Sequence, residues 1–258
     1  MKINSRKIDL LVVMVIIVIS AFLILKFELK FLISGILYLL IPALYLLLRK
    51  TQDVKNILIA SLCSIGPGFI FSFLHTLNQS WFIPQDQLIF SYRIFNILPI
   101  DEIFWYFLFT FAITTFYEHF IEKKETVRVS KNFKYAILST LFIFIGILIL
   151  FFLVPNLLKV NYSYLIFSII AIFPLLYLFT KKPFFINKFA KIAIVFFFLF
   201  FLCEFTALKT GQWIFPGQYV GMVDIFNLRL PFEEIFFWIM ISSMGFFSYY
   251  EIFVDDEK

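Results

Sequence analysis

Residues 213–238 read WIFPGQYVGMVDIFNLRLPFEEIFFW. An aromatic, glycine-marked loop runs into Pro231, then into two adjacent carboxylates, Glu233 and Glu234, and from there into a strongly apolar helix. An ionised acid inside a span costs a few kcal/mol even on gentle insertion scales, so two acids at a helix mouth imply a use. A looser version occupies 81–105, WFIPQDQLIFSYRIFNILPIDEIFW. A shift of 132 positions carries Trp81 to Trp213, Pro84 to Pro216, Pro99 to Pro231, Glu102 to Glu234, Phe104 to Phe236 and Tyr117 to Tyr249. It also carries Pro42 to Pro174 and Tyr45 to Tyr177. Agreement among Trp, Pro and Glu is informative where agreement among Leu and Phe would not be. One ungapped offset from the second helix of each half to the fourth predicts two four-helix halves of the same orientation, a parallel duplication.

Composition agrees with that reading. The chain is 62% hydrophobic and only 15% charged, whereas a soluble domain carries about a quarter charged residues. Eight apolar segments, at 10–27, 31–48, 57–76, 98–117, 135–154, 164–180, 189–207 and 229–248, each approach the length that crosses about 30 Å of hydrocarbon. The expectation is an all-α integral membrane protein of eight transmembrane helices. Residues 1–120 form the first repeat, 121–134 a cytoplasmic linker and 135–258 the second repeat. Lys2, Arg6 and Lys7 before the first apolar run resemble a signal peptide. The run is slightly long for a cleavable core and lacks a convincing small-residue cleavage site, so it is read as a retained span.

Basic residues test the count. With eight spans, Lys26, Lys30, Arg93, Lys159, Lys209 and Arg229 fall on one side and the other sixteen of the 22 Lys and Arg on the opposite side. By the positive-inside rule both termini are cytoplasmic and the two long loops face outward, in a multi-pass protein of the cell membrane. The net charge of +5 follows from this topology and implies no nucleic-acid partner. Cys63 and Cys203 sit in apolar runs and read as packing thiols. His75 and His119 lie near helix ends and make no metal constellation. There is no dinucleotide fingerprint, which argues against a built-in flavin or nicotinamide domain; Gly66-Pro67-Gly68 is a helix interruption.

Asp101 and Glu102, like Glu233 and Glu234, follow a proline at a helix start, where acids complement the helix dipole. Capping alone leaves the second acid of each pair unexplained, because it points about 100° around the helix from the first. A neutral carboxylic acid beside an ionised one is a general acid beside a general base. Glu204, flanked mostly by apolar residues in FLFFLCEFTAL, has Ser72 as its counterpart. It reads either as an interhelical hydrogen-bonding group or as a functional one. The aromatics after the acids, Phe104, Trp105 and Tyr106, then Phe236, Phe237 and Trp238, suit lipid contact and packing. They equally suit a lining of ring faces that stabilises a cation, and the chain's 40 Phe would fit such a lining around a polyene.

At these residues the sequence resembles the lycopene cyclase domain of the membrane-integral carotenoid cyclases, the heterodimeric type, here as a fused form. Gly211, Trp213, Pro216, Tyr219, Gly221, Asn227, Leu230, Pro231, Glu233 and Glu234 carry the mark, and Glu204 occupies the place of an acid nine residues before the Trp. The first half matches through Trp81, Pro84, Asn96, Leu98, Pro99, Asp101 and Glu102, departing at Ser72 and Gln79. The resemblance implies cofactor-free, non-redox acid/base cyclisation of lycopene to β-carotene, an intramolecular lyase or isomerase reaction on a carotenoid dissolved in the bilayer. It implies Glu233, Glu234, Asp101, Glu102 and Glu204 as catalytic acids, and Trp81, Trp213, Phe104, Trp105, Phe236 and Phe237 as substrate contacts. Association with other enzymes of carotenoid biosynthesis is a further implication. Relatives that make ε-rings or act on C50 carotenoids share the motif. Outside the family, a small proton-coupled transporter and a non-catalytic membrane scaffold are the competing classes.

Overall fold

A computed structural model describes residues 5–49, 54–121 and 129–254. Half of the linker expected at 121–134, residues 122–128, lies outside these residues, as do Lys2, Lys50, Lys123, Lys124, Arg128 and Lys258. In order, the elements are helix α1 (Ser5–Phe27), α2 (Phe31–Arg49), α3 (Val54–Leu77), strands β1 (Arg93–Ile94) and β2 (Leu98–Pro99), and helix α4 (Ile100–Phe120). The same succession follows again: α5 (Phe133–Leu153), α6 (Ser163–Lys181), α7 (Phe185–Lys209), β3 (Met222–Ile225), β4 (Leu228–Pro231) and α8 (Glu234–Phe253).

Seven of these helices are long and apolar enough to cross a membrane: all except α4. The eight apolar segments thus become seven such helices and one of a different character. Nearly every residue of α4 is buried, including Asp101, Glu102, Thr110, Thr114, Thr115, Glu118 and His119. A helix sheathed by protein need not be apolar all round, because its polar groups meet other side chains and not lipid. By contrast α5 buries no residue and, from Leu141 onward, is apolar to its end.

The all-α expectation holds for 75% of the described residues and misses two antiparallel hairpins. In one, Arg93 pairs with Pro99 and Ile94 with Leu98; in the other, Met222 pairs with Pro231 and Ile225 with Leu228. Both turn through the same dipeptide. Phe95-Asn96 and Phe226-Asn227 all have positive φ, between 51° and 63°, the conformation a tight hairpin turn needs and Asn tolerates best. The hairpins show that the offset is not uniform. It is 132 at Trp81/Trp213 and at Pro99/Pro231 but 131 at the turns, so compensating length changes lie inside the two loops.

Prolines at equivalent positions break equivalent helices. Pro42 in α2 follows a π-helical stretch, Ile36–Leu40, and Pro174 in α6 follows an interruption at Ile172. A proline has no N–H to give the preceding turn, and a widened or broken turn absorbs the loss. α8 likewise opens with a π-helical stretch, Glu234–Ile241.

The halves interlock. α1 packs against α7 and α5 against α3, while α4 meets α8 in the middle. One buried core draws on both halves, from Ile17 and Tyr38 to Phe200 and Phe247. The inter-helix connections that flank the hairpins gather on one face. Lys30 Nζ donates to the Leu88 carbonyl at 3.0 Å, Gln212 to the Leu29 carbonyl at 2.7 Å, and Asn78 to the Leu158 carbonyl at 2.9 Å. There Phe82 and Ile214 exchange two backbone hydrogen bonds, each 2.9 Å. Ile214 stands 132 positions after Phe82, so this bridge joins a position to its own counterpart.

Candidate functional site

The two acids of each pair part company, as their angular separation requires. Asp101 accepts the backbone N–H groups of Ile89 (2.6 Å) and Phe90 (3.0 Å), and Glu233 accepts that of Val220 (2.7 Å). The first acid of each pair therefore ties its own long loop to the start of the following helix. Neither lines a cavity. Replacing Glu233 or Asp101 by Ala should cost about 1.5–3 kcal/mol, the worth of hydrogen bonds to a charged group. Amide exchange at Val220, or at Ile89 and Phe90, should then quicken while exchange in the helix cores stays as it was.

The second acids, Glu102 and Glu234, are also buried, and both face an interior cavity of about 670 Å³. This space lies between α3, α4, α5, α6 and α8 and is walled almost wholly by apolar and aromatic side chains. Its lining residues on α8, Glu234, Phe237, Trp238, Ser242, Gly245, Phe246, Tyr249, Tyr250 and Phe253, recur singly or in adjacent pairs every three or four positions. They form one stripe along the whole helix, about 30 Å at 1.5 Å per residue. The cavity is thus a groove running the length of the bundle, with its carboxyls at the end nearest the hairpins.

Each carboxyl is held by an aromatic donor. Trp81 Nε1 donates to Glu102 Oε1 at 2.5 Å, and the Tyr164 hydroxyl donates to Glu234. The Trp81 and Tyr164 rings meet edge to face at 5.5 Å, so the two acids, one from each half, are linked through their donors. The other Glu102 oxygen, near the Ser72 hydroxyl, has no well-aligned donor among the described residues and remains an open acceptor.

Glu204 stands one step back from the groove. Trp213 Nε1 donates to it at 2.8 Å, and its carboxyl lies beside that of Glu234. Like charges that close are costly in an apolar site, so a proton shared between the two carboxyls would relieve the repulsion. The counterpart tryptophans therefore serve different acids: Trp81 bonds Glu102, and Trp213 bonds Glu204.

Trp105, Trp213 and Phe237 line the groove as the sequence suggests. Trp105 seats against Gly35, where a Cβ would lie 2.9 Å from its ring, and stacks on Phe31 at 5.2 Å. Phe104 and Phe236 do not reach the groove; they are 46% and 37% exposed and point outward, one position around the helix from the inward rings. Tyr106 also lines the groove, as the sequence reading allows, whereas two participants escaped that reading. Tyr164 lines the groove, and fully buried His75 stacks on Trp81 with centroids 4.5 Å apart and planes 17° apart. His75 Nδ1 is 2.7 Å from the Phe71 carbonyl, which fixes the ring behind the indole that holds Glu102. Tyr164 and His75 have Leu32 and Ala207 as counterparts, so the repeat pattern could not flag them.

Chemically, the arrangement offers two neighbouring carboxyls, Glu204 and Glu234, a third, Glu102, with one oxygen that lacks a well-aligned donor among the described residues, and an aromatic channel that reaches Glu234 and Glu102. The chain matches no family model, no curated protein and no solved structure.

Proposed function

We propose that the chain is a carotenoid cyclase of the cell membrane, a lycopene β-cyclase that crosses the bilayer eight times as two duplicated halves with both termini cytoplasmic. The observation that carries this reading is the long apolar groove with buried carboxyls from both halves at one end. A hydrocarbon substrate needs an apolar channel, and an acid/base isomerisation needs one carboxyl to give a proton and another to take one. α4 serves as the eighth span, sheltered from lipid, and the Phe82–Ile214 bridge marks the pseudo-twofold axis between the halves.

In this mechanism Glu234, oriented by Tyr164 and backed by Glu204, protonates the terminal alkene of a linear end. The neighbouring double bond attacks as the O–H bond breaks, forming the ring C–C bond and leaving a ring carbocation. The faces of Trp105, Tyr106 and Trp238 stabilise that cation and exclude water. Glu102 removes a ring proton, and the C–H electron pair becomes the ring double bond. One proton enters and one leaves, so no redox equivalent is needed, and the proton returns from Glu102 to Glu234 before the next turnover. Asp101 and Glu233 hold the loops and take no part in proton transfer.

Expression of this chain alone in a lycopene-accumulating bacterium should convert the pigment to cyclised products, resolved by chromatography into β- or ε-rings. A linear pigment profile from membranes that contain the protein would overturn the reading, and proton flux without pigment change would favour a transporter. Tyr164→Phe deletes the hydroxyl that orients Glu234. The loss of a charge-assisted hydrogen bond, about 1.5–3 kcal/mol, should slow cyclisation roughly 10- to 100-fold at unchanged protein level.

A further inference from the structure

Among the described residues, the groove takes walls from α3, α4, α5, α6 and α8 and none from α1 or α7. Over the first half of its α3 wall the lining residues are small, Ala60, Ser64 and Gly68 among them, with Phe71 and Leu74 following nearer the carboxyls. A Cβ at Gly68 would stand 2.3 Å from the Tyr106 ring, so the ring lies directly over this glycine and leaves the groove open beside it. The counterparts of Ser64 and Gly68 on α7 are Phe196 and Phe200. Both are buried, at 2% and 0% exposure. Phe200 stacks at 4.9 Å on Trp238, the counterpart of Tyr106, and at 5.2 Å on Phe109. Where twofold symmetry would put a second groove, aromatic packing fills the space. A cavity beside Glu204 on α7 is about 10 Å³, no more than one water.

We propose that each chain holds one groove and one reacting centre, and that a two-ended polyene is closed one end per binding event, with the half-closed product released and rebound in reverse. This rests on the cyclase reading above. The carboxyls stand at one end of a channel about 30 Å long, so when one substrate end lies among them the other lies far along α8. A conjugated polyene is stiff and cannot double back in a channel whose walls are packed side chains. Gly68 is then a specificity-determining position, because it sets aside the Tyr106 ring and decides which half is open.

The test uses the purified full chain in nanodiscs. Titration with lycopene, followed by quenching of tryptophan fluorescence, should give one polyene per wild-type chain. Gly68→Leu should lose that binding, and the paired change Phe196→Ser, Phe200→Gly should raise the stoichiometry towards two. Two polyenes per wild-type chain, or unchanged binding in Gly68→Leu protein that melts as wild type does, would overturn the proposal. Turnover supplies the second arm. Labelled lycopene chased with excess unlabelled lycopene after one turnover should leave the label in the monocyclic product, whereas passage of label directly to the bicyclic product would show processive closure and sink the release step. One-to-one binding without any cyclisation would leave the single groove standing and remove the cyclase reading instead.

Discussion

Glu234→Gln protein should accumulate in membranes as wild type does and convert lycopene about a thousand-fold more slowly, within the range that a positioned general acid supplies. Glutamine has the shape of glutamate, accepts the Tyr164 hydroxyl through its amide oxygen and donates its amide hydrogen to Glu204. The fold therefore keeps its contacts while the transferable proton is gone. Glu233→Gln provides the internal control. Its neighbour one position along is a loop tie to Val220, and an amide oxygen accepts that N–H almost as well, so cyclisation should fall by no more than a few-fold. Pigment chromatography normalised to membrane-bound protein reads both. Equal losses in the two variants would show that the acid pair acts as a unit and that the division of labour drawn here is wrong.

Asp9→Ala should cause the largest loss of stability, about 3 kcal/mol. Asp9 is buried near the start of α1 and collects three partners from two other helices. Arg49 Nε lies at 2.7 Å, the Tyr45 hydroxyl donates at 3.0 Å, and His119 Nε2 is at 3.0 Å. Removing one partner of a buried ionic cluster typically costs 3–5 kcal/mol. Arg49 is 44% exposed and recovers part of its hydration, which places the cost at the lower end. The melting temperature in detergent should fall by roughly 6–12 °C, on the usual scaling for a chain of this size. Asp9→Asn keeps an acceptor and should lose less. A melting temperature unchanged in the alanine variant would mean that the cluster contributes nothing to holding α1, α2 and α4 together.

Asp9 also shows where sequence reading stops. Its counterpart at 141 is leucine, so no repeat points to it, and an acid close to a basic flank reads as ordinary interfacial charge. Only the approach of Arg49, Tyr45 and His119 from other helices reveals what it does. The hairpins were missed for a related reason. Strands of two to four residues are too short for an alternating pattern to emerge from a loop rich in Phe and Ile. The repeated Ile-Phe-Asn at 94–96 and 225–227 was their one available signal, and it fell off the offset by a single position.

What the sequence determined by itself was the membrane class, the element order of the two halves and the acids at the helix mouths. These follow from composition, segment length and the spacing of rare residues, all local properties of the chain. Which acid of each pair faces the interior was decided by the tertiary structure, because loop backbone reaches Asp101 and Glu233 first and leaves Glu102 and Glu234 to the groove. So was the pairing of Glu204 with Glu234, the entry of Tyr164 and His75, and the filling of one of two equivalent grooves by Phe196 and Phe200. Each depends on which side chains and loop backbone from different elements meet in space. Residue spacing along the chain carries no record of such meetings.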